Sequence, residues 1–532
     1  MTDSAKSVAK GISILGITGI ICKLVGVLFS IPLNMISSEE IAAGEVAAIF
    51  YLVYPTYTLL LTISSAGLPV AVSRLVAGYL ARKDSRNAKA AFRTAMLMLL
   101  SLGGFFSLLM IVLNGTLTAM VGAEEASWGF YAISPCVVIV CALSAFRGFI
   151  QGQQNMLPTA ISQLIEQVGK VFLSLPLAYI GVRVYHSVAV GAAGALLGIT
   201  VAEIAALAYM IIRFYVKRKE FNALPQADGE APEARKTLLR RLVTISVPIT
   251  ISACIIPLSS FIDSAMMISR MMNAGLPLDQ AKEAYGVFTS VVIRLINIPT
   301  ALALAISISL VPAVSARRAV GDMDGVRRES DTGIRYAFLI GFPCSVGMSL
   351  LSRPIVDFFY ADVFSPQKLT LASELLTFSA MTVVLFTVVQ ATSSILQGLR
   401  RQKIPMYSMM IAVAVKILLN YILIGTPGID IHGGPIASIA CYSITMIINI
   451  VYVCRHAQMK FRWVPWVVRP GAAAAVMGVT VWLMTRFLPS GRLWTILEIA
   501  AGVAVFLAAA FAFKAVTKSD LRAMMKGGRK AS

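Results

Sequence analysis

From Arg294 to Ser315 the chain reads RLINIPTALALAISISLVPAVS, one guanidinium followed by 21 residues without a charge. A bilayer core about 30 Å thick is crossed by roughly 20 apolar residues in helical form. This stretch therefore spans a membrane and carries its arginine inside. The apolar run covers 284–316, which puts Arg294 about ten residues in, or roughly 15 Å at about 1.5 Å per residue. A side chain does not snorkel easily from that depth, and an ionised group there costs at least about 2.5–3.5 kcal/mol. Arginine cannot escape by losing its proton, and its planar fork matches a phosphate with two parallel hydrogen bonds. The residue points to an anionic ligand, or else to a structural ion pair, for which Asp263 is the natural partner.

Composition extends this reading to the whole chain. Of 532 residues 58% are hydrophobic and only 14% charged, with a mean hydropathy of +0.79, whereas soluble domains run near a quarter charged. Apolar runs of spanning length fall near 11–36, 46–73, 94–120, 128–150, 158–181, 188–212, 242–270, 284–316, 336–352, 370–397, 405–425, 433–454, 465–487 and 493–513. The first is too long for a signal-peptide core and lacks a small-residue cleavage site, so it counts as a span. The predicted fold class is an all-α integral membrane protein with about 14 transmembrane helices.

A formal net charge of +20 would suggest nucleic acid as a partner in a soluble protein, but no solvated basic module is present and none is expected to bind. With the N-terminus inside, 34 of the 46 Lys and Arg fall on cytoplasmic segments, seven outside and five within spans. The opposite orientation would reverse that bias. Both termini are expected in the cytoplasm, with a basic inner face drawn to anionic membrane lipids. The seven Cys lie in apolar stretches with no CxxC pair, His186, His432 and His456 are far apart, and there is no GxxxxGK[ST] motif. No disulfide, metal, cofactor or catalytic residue is expected, and the chain does not read as an enzyme.

The two halves share motifs. Ile150-Gln151-Gly152 recurs as Leu396-Gln397-Gly398, each followed by a proline (Pro158, Pro405) and then an intramembrane lysine (Lys170, Lys416). Leu68-Pro69-Val70-Ala71-Val72-Ser73-Arg74 likewise resembles Val311-Pro312-Ala313-Val314-Ser315-Ala316-Arg317. Three matches in order at nearly constant offset indicate a duplication of six spans. An even number makes the copies parallel, an arrangement found in transporters with a site between halves. The domain reading is an N-terminal lobe over 1–216, a cytoplasmic linker over 217–240, a C-terminal lobe over 241–462, two added spans over 463–515 and a basic tail over 516–532.

Function is sought among the charges within spans. Lys23 is the single charge of its run and stands among Gly16, Gly19 and Gly26, which would let a ligand approach. Glu166 and Lys170, at i and i+4, can neutralise each other on one helix face. Lys416 has no acid at i±3 or i±4, so its partner must come from elsewhere. Asp263 either pairs with Arg294 or binds a coupling cation. Arg147, close to an inner end, is expected to snorkel, and the role of Glu203 stays open. Asn34, Ser64, Ser65, Asn297, Ser307 and Ser309 could add cavity polarity.

These residues resemble a known family, the multidrug/oligosaccharidyl-lipid/polysaccharide exporter superfamily, and within it the lipid II flippases and the stage V sporulation protein B group. Arg294-Leu295-Ile296-Asn297-Ile298-Pro299 with Leu310-Val311-Pro312-Ala313-Val314-Ser315 resembles the span-8 pattern of the flippases, where the arginine is an essential cavity residue. Lys23-Leu24-Val25-Gly26 resembles their span-1 Arg-x-Leu-Gly, with lysine replacing arginine. Phe146-Arg147-Gly148-Phe149-Ile150-Gln151-Gly152 and Ser162-Gln163-Leu164-Ile165-Glu166-Gln167 resemble the sporulation branch. The Arg-Asp pair of the flippases' first span reads Phe29-Ser30 here, and residues 46–73 carry no charge, so the cavity is less cationic. The resemblance implies a flippase of the bacterial cytoplasmic membrane that carries a polyprenyl-pyrophosphate-linked saccharide such as lipid II to the outer leaflet, alongside envelope-synthesis enzymes. Arg294, Lys23 and Asn297 would bind it, with Asp263, Glu166, Lys170, Lys416, Ser64 and Asn34 lining the cavity or pairing ions. The alternatives are a cation-coupled multidrug exporter and a non-transporting scaffold of an envelope or sporulation complex.

Overall fold

The Asp84 side chain accepts a 2.9 Å hydrogen bond from the Asn87 amide, and that of Asp322 a 2.7 Å one from the Gly325 amide. These N-caps satisfy orphan donors at the start of two long helices, and in both cases the preceding turn passes through positive φ, at Lys83 and at Gly321. Matched turns also follow the two Gln-Gly motifs, at Gln154 (φ 61°) and Arg400 (φ 53°). The repeat read in the sequence is thus a repeat of local backbone geometry.

The computed structural model describes residues 18, 21, 22, 25, 26, 28–216, 233–489 and 491–516. After a helical stretch over 28–35 (α1) come α2 (Glu45–Ser65), α3 (Leu68–Ala81), α4 (Ser85–Val112), α5 (Asn114–Val121), α6 (Ala126–Gly152), α7 (Leu157–Arg183) and α8 (Val188–Val216). Next are α9 (Arg235–Asn273), α10 (Leu278–Gly286), a π-helical segment (Val287–Val292) and α11 (Ile293–Ala319). The chain continues through α12 (Met323–Leu350), α13 (Ser352–Tyr360), α14 (Pro366–Ser379), α15 (Met381–Gly398), α16 (Lys403–Ile424) and α17 (Gly433–His456). A second π segment (Val464–Val468) leads into α18 (Arg469–Phe487), and α19 (Arg492–Ala512) follows. Among the described residues there is no strand, and twelve helical spans are long and apolar enough to cross a membrane. The two sequence runs not among the twelve are 11–36, part of which lies outside the described residues, and 284–316.

The chain divides into two compact units, Met1–Ser290 and Val291–Ser532. The first therefore reaches beyond the boundary that the repeat suggests at 241 and takes in α9 and α10. Within it α7 and α8 lie so close that a Cβ on Gly198 would stand 2.4 Å from the Ser174 Cα, and one on Gly194 2.6 Å from the Leu177 carbonyl oxygen. Small residues let backbones approach where lipid offers no hydrophobic drive for association. The overlong run 46–73 is broken at Ala66–Gly67, where the Gly67 amide donates to Thr250 Oγ1 on α9 at 3.1 Å. The Gln-Gly motifs serve packing. A Cβ on Gly152 would meet that of Val76 on α3 at 2.7 Å, and in the second unit one on Gly398 would meet that of Val314 on α11 at 2.8 Å. Also in the second unit, the fully buried Trp466 donates its indole N–H to Asp331 on α12 at 2.9 Å, beside Arg462.

Candidate functional site

In the first unit three adjacent helices bring a polar group into the apolar interior. Arg147 on α6 donates through Nη2 to Glu166 on α7 at 3.1 Å and through Nε to Ser162 at 2.9 Å, while Gln167 donates to the other Glu166 oxygen at 3.1 Å. The Arg147 side chain is 13% exposed, so it does not snorkel to the surface as its position near a helix end suggested. A carboxylate and a hydroxyl within reach offer better solvation than a stretched route to water. The ion pair of Glu166 is accordingly with Arg147, on another helix, where the i,i+4 spacing had suggested Lys170.

Lys170 is drawn to aromatic rings. Its ammonium lies 4.8 Å from the ring centroids of Phe29 on α1 and Tyr54 on α2, and 5.6 Å from that of Phe50. Ring faces attract a desolvated cation, and the aromatics of runs 1 and 2 gave no sign in the sequence that they would converge on it. Glu203, on α8, is 3% exposed, and its Oε2 has no hydrogen-bond partner. The pairing of Arg147 with Glu166 was not foreseen, because it depends on the rotation of α6 and α7 about their axes.

A second set of contacts fastens α10 and the π segment to the first unit's spans. Lys282 donates to both oxygens of Glu125 at 3.0 and 3.1 Å. The Tyr285 hydroxyl donates to the Tyr51 carbonyl at 3.2 Å, and Gly286 lies where a Cβ would be 2.5 Å from that of Ala48. At Ser290 the carbonyl accepts from Ser30 Oγ at 2.6 Å and from Asn34 Nδ2 at 3.3 Å, while Ser290 Oγ donates to Asn34 Oδ1 at 2.7 Å. A wide π turn shifts carbonyls away from their usual partners, and these side chains supply replacements. Asn34, read from sequence as cavity polarity, is fully buried in this network, and Ser64 is fully buried too, with Oγ donating to the Leu61 carbonyl.

Arg294 is the second residue of α11, two positions past the π segment and half-buried, with Asn297 one turn further on the same face and also half-buried. The helical path to it begins at Leu278, earlier than the apolar run implied, because the polar turn Asp279–Glu283 is helical as well. Single π turns inside helices collect at functional sites, and hydropathy carries no trace of them. Asp263 on α9 and Lys416 on α16 are each half-buried. Lys23 lies outside the described residues.

An all-helical bundle of apolar spans with paired and ring-solvated charges inside it defines a polytopic membrane transporter. More particularly, the chain belongs to the polysaccharide biosynthesis protein family, whose model matches residues 8–317, and a MatE model matches 248–422. Both sit within the multidrug/oligosaccharidyl-lipid/polysaccharide exporter superfamily. The chain is 26% identical to the lipid II flippase MurJ of Bacillus subtilis (strain 168) across 94% of each chain. It is 24% identical to the stage V sporulation protein B of the same organism across 98% of each. Among solved structures it shares its fold with a lipid II flippase MurJ in an inward closed conformation, at a TM-score of 0.71 and 14% identity over 94% of this chain and 98% of that one. An inward-facing multidrug resistance MATE family transporter aligns at 0.67 over 83% and 96%. These relatives are flippases and transporters, not enzymes.

Proposed function

We propose that the protein is a flippase that moves a polyprenyl-pyrophosphate-linked saccharide precursor of the cell envelope from the inner to the outer leaflet of the bacterial cytoplasmic membrane by alternating access. The observation that carries this reading is Arg294, held within an apolar helix directly after a π segment. A pyrophosphate head cannot enter hydrocarbon unaided, while its polyprenyl tail need not leave it. A fixed guanidinium inside the membrane replaces part of the head's hydration with two directed hydrogen bonds. Asn297, one turn away, and Lys23 would add donors. The likeness to a lipid II flippase over most of both chains supports this cargo class.

The second reading, a cation-coupled multidrug exporter, draws on the likeness to a MATE transporter. Charges within the spans oppose it: Lys23, Arg147, Lys170, Arg294 and Lys416 outnumber Glu166, Glu203 and Asp263, which suits anionic cargo. Photo-cross-linking to a labelled lipid-linked precursor separates the two. Labelling should be competed by unlabelled precursor and not by cationic dyes, and Arg294→Ala should lose it while inserting at normal levels. Competition by dyes, or undiminished labelling of Arg294→Ala, would overturn the flippase reading.

A further inference from the structure

Between α1 and the last third of α7, within the first unit, lies a groove of about 420 Å³ lined by Pro32, Ile36, Leu175, Pro176, Tyr179 and Ile180. Ligand clefts run to about 300–1,000 Å³. A proline stands on each wall, and each removes a helical hydrogen bond and bends its helix. The walls are held apart by contacts on their other sides. α7 is pressed against α8, where a Cβ on Gly181 would stand 2.5 Å from the Gly191 amide nitrogen. α1 is tied through Ser30 and Asn34 to Ser290. Tyr179 and Ile180 are 54% and 43% exposed, while Leu33 and Ala178 behind them are fully buried. The groove therefore opens toward the bilayer and is closed toward the interior.

A single cation stands at its mouth. Arg183 ends α7, with Cζ 5.8 Å from the centroid of the Tyr179 ring, within the range of attraction to a ring face. The side chain is exposed, and among the described residues its guanidinium forms no ion pair and no hydrogen bond. Glu40, on the loop before α2, faces His186, at 3.8 Å. At about 1.5 Å per residue the groove residues of α7 lie about 5–12 Å along the axis from Arg183. A charge at head-group level above an apolar slot is the layout of a membrane lipid, phosphate first and hydrocarbon beneath, with the tyrosine at the boundary where such rings collect.

We infer that this groove holds one acyl chain of an anionic phospholipid from the surrounding bilayer, with the lipid's phosphodiester bound by Arg183, in the leaflet that the Lys and Arg distribution reads as outer. One guanidinium matches the single negative charge of a phosphodiester with two parallel hydrogen bonds. A pyrophosphate carries more charge than Arg183 alone would meet. The lipid is a resident ligand and not the cargo, so the inference does not rest on the flippase reading.

The test uses full-length protein in phosphatidylcholine nanodiscs containing a trace of phosphatidylglycerol with a photoreactive group midway along one acyl chain. Labelling should concentrate on peptides 28–36 and 172–183. Unlabelled phosphatidylglycerol should displace it, and a polyprenyl phosphate should not. Arg183→Gln should weaken that displacement about fivefold, the worth of one basic residue at a membrane surface. Ile180→Trp, which fills the slot, should abolish labelling of the two peptides. Labelling spread evenly over the lipid-facing helices, or Arg183→Gln behaving as wild type, would overturn the site. Displacement by the polyprenyl phosphate would overturn it too, by giving the groove to a polyprenyl tail. Should a variant fail to fold, the wild-type label map and the two competitors still decide.

Discussion

The Ser290 carbonyl accepts a 2.6 Å hydrogen bond from Ser30 Oγ, so the π segment is joined to α1 by a side chain 260 positions away in sequence. Asn34 closes the same network from the next turn. Leaving one of these buried groups without a partner costs about 1–3 kcal/mol. Asn34→Ala should therefore lower thermal stability by that order, and Ser30→Ala by less, because Asn34 still reaches the carbonyl. Unfolding of purified protein in detergent, followed by tryptophan fluorescence, checks the order of the two variants.

Arg147 is the counter-ion of Glu166. Removing one member of a mostly buried pair costs about 3–5 kcal/mol, while replacing both by apolar residues of similar volume costs far less. Arg147→Ala should give poorly folded protein, and the double variant Arg147→Met/Glu166→Met should recover much of the loss. Monodispersity on size-exclusion chromatography and a double-mutant cycle in Tm would show it. Equal damage in the single and double variants would mean that the pair has no such role.

The Glu125–Lys282 pair has a pH signature. Burial pushes the Glu125 carboxyl up, but its own backbone hydrogen bond and the Lys282 ammonium outweigh burial, leaving it below the ordinary carboxylate value. A carboxyl held low in the folded state stabilises above its unfolded pKa, and that contribution disappears as pH falls through the folded value. With Glu125 40% exposed, the effect should be at most about 1 kcal/mol and weakened by salt. Glu125→Gln should therefore differ from wild type in Tm at neutral pH and converge with it in acid.

Asp331 gathers Arg462 and the indole N–H of Trp466. Asp331→Ala leaves a fully buried donor unmet, a loss of about 1–3 kcal/mol, and should loosen the segment that leads into α18. Protease sensitivity near 460–468 should rise in this variant while cleavage elsewhere is unchanged.

Span positions could be read from the sequence because hydropathy is a sum over some 20 residues and tolerates local error. The Gln-Gly motifs were equally visible, since a glycine facing a valine is needed at one position in each copy. The cluster around Glu166 was only half legible. That Glu166, Lys170 and Arg147 are costly in lipid follows from residue type alone, but which of them meet depends on helix rotations that a few degrees decide. The three rings around Lys170 were hidden for the same reason, being spread over two runs that read as uniformly apolar. The π segment before Arg294 leaves no trace in composition, and neither does the end of the first compact unit at Ser290.

The aromatic surround of Lys170 also makes it a spectroscopic reporter. Ring currents from Phe29, Phe50 and Tyr54 act on the same terminal methylene and ammonium, so its resonances should stand apart from those of the protein's other lysines. Selectively labelled lysine would then give one displaced signal that follows the seating of α1 and α2 against α7, without any probe being introduced.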